Sequence, residues 1–417
     1  MHSPLLLQMV IILATARACG WLLRYVGQPA VIGEMAAGIV LGPIVFGALF
    51  PGFHAELFAR DSLPALTSLS TLGLVLFMFI VGAELRAPDG MRAQLKAAGA
   101  VGALGVLLPM ALGIGISPSL YPALAPAGVG FWPFALFMAA AMSITAFPVM
   151  ARILKDRGMT QTSLGRLALS SAALADVFAW IMLAFVVALT GSGEGYVGFA
   201  KTTLGLVALA VVVFGVLKPL YAWWLRKHAT DGRPSPMLLA AILVGALACA
   251  ALTEWLGLHA VFGAFLFGAC LPREDRLLQY LVERIETVAL VLLMPIFFAL
   301  AGLNTTADAF SAAGLGALAL IIAAAVIGKV AGGAAGARIA GYGWRESLAT
   351  GSLMNARGLM ELIVMKVGLD AGLIGPELFT MLLVMALLTT VMTGPLLILF
   401  AGRHVDAAAS AKSSSVI

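Results

Sequence analysis

The segment "AAAMSITAFPVMARIL" (139–154) places a proline and two hydroxyl residues inside an apolar run. Pro148 cannot donate a backbone hydrogen bond, and its ring clashes with the carbonyl one turn earlier. A helix that reaches Pro148 therefore leaves free carbonyls around Ser143 and Thr145. The segment predicts a helix that is interrupted near its middle, which is tolerated inside a membrane only where the backbone is buried in protein or lines a watery cavity.

The composition of the chain supports a membrane environment for this helix. The 417 residues are 62% hydrophobic and 11% charged, with a mean hydropathy of +1.05, whereas soluble domains carry about 25% charged residues. Because about 20 apolar residues cross a bilayer, the sequence predicts an all-α polytopic membrane protein with about thirteen spans and no room for a soluble domain. The spans are approximately 4–23, 29–49, 64–84, 96–117, 133–154, 164–190, 199–225, 236–255, 258–272, 281–303, 312–337, 346–369 and 376–402.

The basic residues predict the orientation of these spans. Most of the 25 Lys and Arg lie in or beside every second connection, and only Arg60 and Lys201 lie on the opposite side. By the positive-inside rule the N-terminus is outside and the C-terminus is cytoplasmic. The net charge of +5 is therefore a topology signal and does not indicate a nucleic-acid partner. We expect a multi-pass protein of the cell membrane, inner or plasma, with a disordered cytoplasmic tail at 403–417.

A second interruption lies about half the chain away from the first. The segment "TGSLMNARGLMELIV" (350–364) places Asn355, Arg357 and Glu361 where an apolar helix is expected. The two interrupted spans are predicted to run in opposite directions through the membrane, which is typical of an inverted repeat. Paired interruptions of this kind indicate the midplane binding site of a secondary transporter.

Two charged residues lie near the middle of other predicted spans. Asp176 lies in "LALSSAALADVFAWIMLAFVVAL" (167–189), and Lys329 lies in "AAAVIGKVAGG" (323–333). A charge at the bilayer centre costs about 2.5–3.5 kcal/mol by insertion scales, so such a pair indicates a functional site. Lys329 also has a structural interpretation, as a lock between helices. Arg357 and Glu361 have the i,i+4 spacing of an ion pair, and an ion pair and direct contact with a transported cation both remain open for them.

The chain resembles the monovalent cation:proton antiporter-2 family, which includes plant cation/proton exchangers and bacterial potassium-efflux and sodium/proton antiporters. The resemblance extends over about 4–402 and depends on several segments in the same order. They are "GQPAVIGEMAAGIVLGP" (27–43), "MSITAFPVMARIL" (142–154), "ALADVFAW" (173–180), "PIFFALAGLNT" (295–305), "GKVAGG" (328–333) and "NARGLMELIV" (355–364).

The resemblance implies a fold of two membrane domains. A core, about 96–190 and 312–402, would contain the two crossed broken helices. A scaffold, about 4–84 and 199–303, would form a homodimer.

The resemblance also implies roles for individual residues. Asp176 would bind a monovalent cation and a proton in turn, Thr145 would lie in the unwound part of the first broken helix, and Lys329 would lie beside the site. One position departs from the family pattern, because members commonly have Asn or Asp before this aspartate and this chain has Ala175. Lys329 must therefore pair with Asp176 or with other acceptors.

The resulting mechanism is antiport by competition. Protonation removes the negative charge that a cation needs, so proton and cation exclude each other from Asp176. If Asp176 is the only carrier, one proton exchanges for one cation, which we favour. If cation binding also releases a proton from Lys329, two protons move per cation, because burial can lower the pKa of a lysine.

Two other functions are alternatives to antiport. One is sodium-coupled transport of an organic solute on a related fold, which would need more polar side chains around a larger cavity. The other is a membrane sensor that transports nothing, supported only by the residue at 175. No motif indicates an enzyme or a cofactor, and the hard oxygen ligands expected here accept sodium and potassium alike.

Overall fold

The computed structural model describes residues 4–84, 91–160, 162–172, 174–175, 178, 196–228, 235–256, 260–272 and 275–401. Every regular element in these ranges is helical, which confirms the predicted all-α class. Two predicted features, Asp176 and the tail at 403–417, lie outside the described residues.

The helices follow one another through short connections. In the first half they are α1 (Leu5–Arg24), α2 (Ala30–Leu41), α3 (Pro51–Leu57), α4 (Leu63–Glu84), α5 (Met91–Leu124), α6 (Phe131–Ser143), α7 (Phe147–Asp156) and α8 (163–172). In the second half they are α9 (Tyr196–Val212), α10 (Lys218–His228), α11 (Pro236–Trp255), α12 (Val261–Cys270), α13 (Asp275–Val288), α14 (Met294–Leu303), α15 (Ala312–Ile339), α16 (Trp344–Met354), α17 (Leu359–Asp370) and α18 (Pro376–Ala401).

Nine helical segments within the described ranges are long and apolar enough to cross a membrane. The count of thirteen spans stays a prediction. The helix α5 is longer than the predicted span 96–117, since it has 34 residues and continues through three internal prolines. The predicted span 133–154 is divided between α6 and α7, and the predicted span 346–369 is divided between α16 and α17. Both interruptions therefore lie in the segments where the sequence predicts them.

The described residues form two compact units. The first unit takes its residues from Met1–Ala16, Phe46–Arg86 and Gly191–Leu300. Within it, α12 packs against α4 and α11. The packing is close enough that a Cβ atom on Gly263 would lie 1.8 Å from the carbonyl oxygen of Cys249. Small residues allow this approach of helix backbones, as is common in membrane bundles.

The second unit contains both interruptions. It takes its residues from Arg17–Val45, Ala87–Thr190 and Ala301–Ile417. Its most extensive helix–helix contact joins α15 to α5, and it contains glycines of α15 that are spaced four residues apart. A Cβ atom on Gly332 would lie 2.4 Å from the carbonyl oxygen of Leu104, and one on Gly336 would lie 2.5 Å from Cα of Val101. This close packing lets the neighbouring Lys329 reach the backbone of α5.

The close approach of α5 and α15 predicts the effect of one methyl group. In Gly332→Ala the new Cβ meets backbone that cannot rotate away, so we expect the free energy of unfolding to fall by about 1–3 kcal/mol, the usual cost of overpacking. The matched control is Gly316→Ala on the same helix, where a Cβ atom meets nothing within 4 Å. We expect that control to be neutral or slightly stabilising. Thermal unfolding of the purified protein in detergent measures both, and equal melting temperatures would contradict the packing described for α15.

Candidate functional site

The first interruption separates α6 from α7. The helix α6 ends at Ser143, and Ile144 is extended, with φ −68° and ψ 141°. Pro148 is the second residue of α7, where a missing N–H does no harm because the first amides of a helix have no partner within it. The proline thus stops α6 and starts α7. Ser143 and Thr145 are both fully buried.

The second interruption separates α16 from α17. The helix α16 ends at Met354 and α17 begins at Leu359. Asn355, Arg357 and Glu361 are fully buried here. A Cβ atom on Gly358 would lie 2.7 Å from a side-chain carbon of Val149 on α7, so the absence of a side chain brings the second interruption against the first.

A backbone hydrogen bond joins the two interruptions directly. The amide of Ala146 donates to the carbonyl of Ala356 over 3.0 Å. The two unwound segments therefore satisfy part of each other's backbone. This contact lies where the two broken helices cross, as the family resemblance implies.

The carboxyl end of α6 is hydrogen-bonded by side chains. The last four carbonyls of a helix have no partner within it, and in α6 these belong to residues 140–143. The Ser143 hydroxyl donates to the carbonyl of Ala140 over 2.8 Å. The Arg357 guanidinium donates to the carbonyls of Ala141 over 3.0 Å and Met142 over 2.8 Å. The Lys329 ammonium donates to the carbonyl of Ser143.

Lys329 is held by oxygen atoms of three residues. Besides the Ser143 carbonyl, its Nζ donates to Oγ1 of Thr145 over 2.6 Å and to the carbonyl of Gly105 over 3.0 Å. The side chain is fully buried. Since the carboxyl end of a helix carries partial negative charge, two cations at the end of α6 are electrostatically favourable. Acceptors other than a second carboxylate are thus present for this lysine.

Arg357 also forms an ion pair with Glu361. The guanidinium nitrogen lies 2.8 Å from Oε1 of the carboxylate, and both side chains are fully buried. The structure therefore contains the i,i+4 ion pair, one of the two alternatives for these residues. Oε2 of Glu361 and Oδ1 of Asn355 are buried acceptors without a hydrogen-bond partner among the described residues. These oxygens are chemically suited to a proton, a hydrated cation or water.

Two threonines on α18 complete the site and were missed by the sequence analysis. Oγ1 of Thr390 accepts from the amide of Arg357 over 2.9 Å and lies 2.8 Å from the carbonyl of the same residue. The side-chain amide of Asn355 donates to the carbonyl of Thr389 over 3.1 Å. The signal that could have found them is the polar pair within the apolar run "LLTTVMTG" (387–394).

The structure brings together six of the predicted site residues in the second unit. They are Ser143, Thr145, Lys329, Asn355, Arg357 and Glu361. Pro148 lies just after the first interruption. Asp176 lies outside the described residues, and its neighbour Ala175 is buried.

Comparison with known proteins places the chain in a family of sodium/hydrogen exchangers. The family model described as "Sodium/hydrogen exchanger, transmembrane" matches residues 10–400. The chain is 40% identical to the Na(+)/H(+) antiporter NhaS4 of Synechocystis, over 94% of this chain and 96% of that protein. It is 38% identical to cation/H(+) antiporter 17 of Arabidopsis thaliana and 34% identical to K(+)/H(+) antiporter 1 of Saccharomyces cerevisiae. It spans 48% and 43% of the lengths of those two proteins.

Solved structures agree on the fold. The sodium proton antiporter MjNhaP1 of Methanocaldococcus jannaschii superposes with a TM-score of 0.68 and covers 96% of this chain and 98% of its own. The sequences are 14% identical, so this likeness concerns the fold alone. The expected resemblance to cation/proton antiporters is confirmed by the family match and the relatives.

The contacts of Arg357 predict a large loss of stability on its removal. In Arg357→Met two carbonyls of α6 lose their donor and the Glu361 carboxylate stays buried without its cation, which typically costs about 3–5 kcal/mol. The double variant Arg357→Met/Glu361→Leu removes the orphaned charge, so it should recover part of that loss. Melting temperatures and folded yield of the purified variants test this, and a single variant as stable as the wild type would contradict the arrangement.

The bond between Lys329 and Thr145 predicts energetic coupling between the two side chains. Lys329→Met and Thr145→Val each break it, so a double-mutant cycle should give a coupling of about 1–3 kcal/mol. Thr145→Ser keeps the hydroxyl and is the matched control, for which we expect near wild-type stability. Additive losses in the cycle would show that the two side chains do not interact.

Proposed function

The chain belongs to the sodium/hydrogen exchanger family, and from this premise we propose that it exchanges a monovalent cation, sodium or potassium, for protons across a membrane. The observation that carries the proposal is the crossing of two broken helices, where Ala146 bonds to Ala356 beside three buried ionisable side chains. Broken helices at a repeat interface are the usual binding site of secondary transporters. The named relatives are a sodium/proton, a cation/proton and a potassium/proton antiporter.

Asp176 is the proposed carrier of cation and proton. The described part of the site holds two cations, Lys329 and Arg357, and one carboxylate, Glu361. Glu361 already accepts from Arg357, so its charge serves the fold. Asp176 would add the carboxylate that titrates, and protonation would remove the charge that binds the cation. Proton and cation then bind alternately to one carboxylate. Their concentration gradients across the membrane drive the exchange.

Thr145 and Lys329 are proposed to shape the cation site. Sodium and potassium take hard oxygen ligands, and the Thr145 hydroxyl and the Ser143 carbonyl are two such oxygens. Both accept from the Lys329 ammonium in this structure. An incoming cation that uses these oxygens would have to displace the ammonium, and the departing cation would let it return. Lys329 would thus act as a built-in competitor that keeps the site from retaining its cation.

The proposed stoichiometry is one proton for one cation. Lys329 donates to three oxygen acceptors among the described residues, and in this proposal it keeps its proton throughout the cycle. Asp176 would then be the only group that releases a proton during the cycle. Transport would be electroneutral, whereas deprotonation of Lys329 would move two protons for each cation.

The remaining proposals concern the oligomeric state of the protein and its orientation in the membrane. We propose that the ion-carrying core is about 96–190 and 312–402, which falls within the second unit. The segments at about 4–84 and 199–303 would form a scaffold that makes a homodimer. The positive-inside pattern supports an orientation with the N-terminus outside, and we expect the cell membrane as the location. The proposal requires no cofactor besides the transported ions and no enzymatic step. Neither the solute transporter nor the sensor is supported by the family or by the named relatives.

Cation-driven proton movement in proteoliposomes tests the proposal. A pH dye inside the vesicles should respond to sodium or potassium with wild-type protein, and the response should fall to background in Asp176→Asn, which cannot exchange a charge. The matched control is Asp61→Asn, an exposed carboxylate, which should exchange like the wild type.

The same vesicles test the stoichiometry with and without a clamped membrane potential. A response that ignores the potential supports one-for-one exchange, and one that follows the potential indicates that Lys329 also releases a proton. No response to either cation from folded protein, or full activity in Asp176→Asn, would overturn the proposed function.

A further inference from the structure

A cavity of about 220 Å³ lies in the second unit and is lined in part by Thr390. Its walls come from three places in the chain: the turn Gly27–Pro29 before α2, the end of α7 at Arg157, and α18 at Thr390 and Gly394. The side-chain amide of Gln28 donates to the carbonyl of Val391 over 3.3 Å and fixes the turn against α18. The cavity is therefore built by packed elements.

Arg157 is the only formally charged side chain that lines this cavity among the described residues. Its guanidinium is partly buried and makes no hydrogen bond or ion pair with the part of the chain that the structure describes. The carboxyl end of α7 offers it some favourable electrostatics, but its five N–H donors stay available. A guanidinium matches the paired oxygens of a phosphate or carboxylate and is a poor neighbour for a cation.

The positive charge of Arg157 makes this cavity unsuitable for the transported cation. Sodium or potassium in it would be repelled by Arg157, so the cavity does not suit the transported cation. The start of α2 adds to the positive potential, because Pro29 precedes α2 without a side-chain cap and the first amides of a helix carry partial positive charge. An anion is the ligand that both features favour.

Size and place narrow the class of anion. A volume of about 220 Å³ is below the roughly 300–1,000 Å³ of pockets for drug-sized ligands. A nucleotide is therefore too large for this cavity, whereas the headgroup of a phospholipid fits. Arg157 lies in a basic connection, 152–166, that the sequence predicts at the cytoplasmic membrane surface, where lipid phosphates lie.

We infer that this cavity binds a phosphate-bearing anion of headgroup size through the Arg157 guanidinium. Binding in the cavity would affect the second interruption, because Thr390 lines the cavity and also accepts a hydrogen bond from the amide of Arg357. The bound anion would thus tighten α7, α18 and the turn before α2 around the second interruption. The inference does not depend on antiport, since binding is measured without transport.

Thermal unfolding of the full chain in neutral detergent tests the inference with two probes. One arm adds phosphatidylglycerol against phosphatidylcholine in mixed micelles, and the other adds sodium phosphate against sodium chloride at equal ionic strength. We expect a saturable rise in the melting temperature in at least one arm. A rise with phosphatidylglycerol alone identifies a lipid headgroup, and a rise with phosphate identifies a free anion; either result supports the site.

Variants tie the effect to the cavity. Arg157→Gln should weaken the apparent affinity at least about tenfold, the effect of losing one charge-assisted contact, and Arg157→Lys should lose less. The matched control is Arg345→Gln, an exposed arginine of the same unit, which should titrate like the wild type. If Arg157→Gln does not fold, Gly394→Ala serves, because its Cβ would lie 3.1 Å from the Arg157 guanidinium and narrow the cavity.

Three results would overturn the inference. The first is no saturable stabilisation of the wild type by either probe. The second is equal titration of the wild type and Arg157→Gln, and the third is equal weakening in Arg157→Gln and Arg345→Gln, which would show a general effect of surface charge.

Discussion

The four carbonyls at the carboxyl end of α6 are the constraint on which the second unit depends. A helix that ends inside a buried region leaves these groups without partners, and each would cost several kcal/mol in a membrane. Here the Ser143 hydroxyl, the Arg357 guanidinium and the Lys329 ammonium donate to them. The cations are therefore needed to end α6, and Glu361 is needed to balance Arg357. The interruption of α6 thus accounts for the contact with the second broken helix, the ion pair of Arg357 and Glu361, and the buried Lys329.

This arrangement explains how a site with alanine at position 175 can still hold its lysine. The family that the chain resembles commonly has Asn or Asp there. Among the described residues, this chain offers backbone and hydroxyl oxygens to Lys329. These three acceptors are neutral, so none of them titrates. The proposed role of Asp176 as the single exchanger of proton and cation is consistent with these neutral acceptors. The oxygens that hold the ammonium are also of the type that a sodium or potassium ion would use.

Much of this could be predicted from the sequence, because proline and charge inside apolar runs are local signals. Pro148 predicted the first interruption, and Asn355 and Arg357 predicted the second. The partners of these residues could not be predicted, since they depend on which helices cross: the carbonyl of Gly105, 224 residues from Lys329, carries no mark in the sequence. Thr390 had a weak signal, a polar pair in an apolar helix, but its role at the second interruption required the fold.

The pH dependence of cation affinity is the measurement that tests the central claim most directly. If one carboxylate, Asp176, takes proton and cation in turn, the apparent dissociation constant should rise about tenfold for each unit of pH lowered below the pKa of that group, the slope expected for one competing proton. Equilibrium binding of radioactive sodium or potassium to the purified full chain gives this slope. A slope of one supports the account. An affinity that does not change with pH, or a slope of two, would contradict a single exchanging carboxylate.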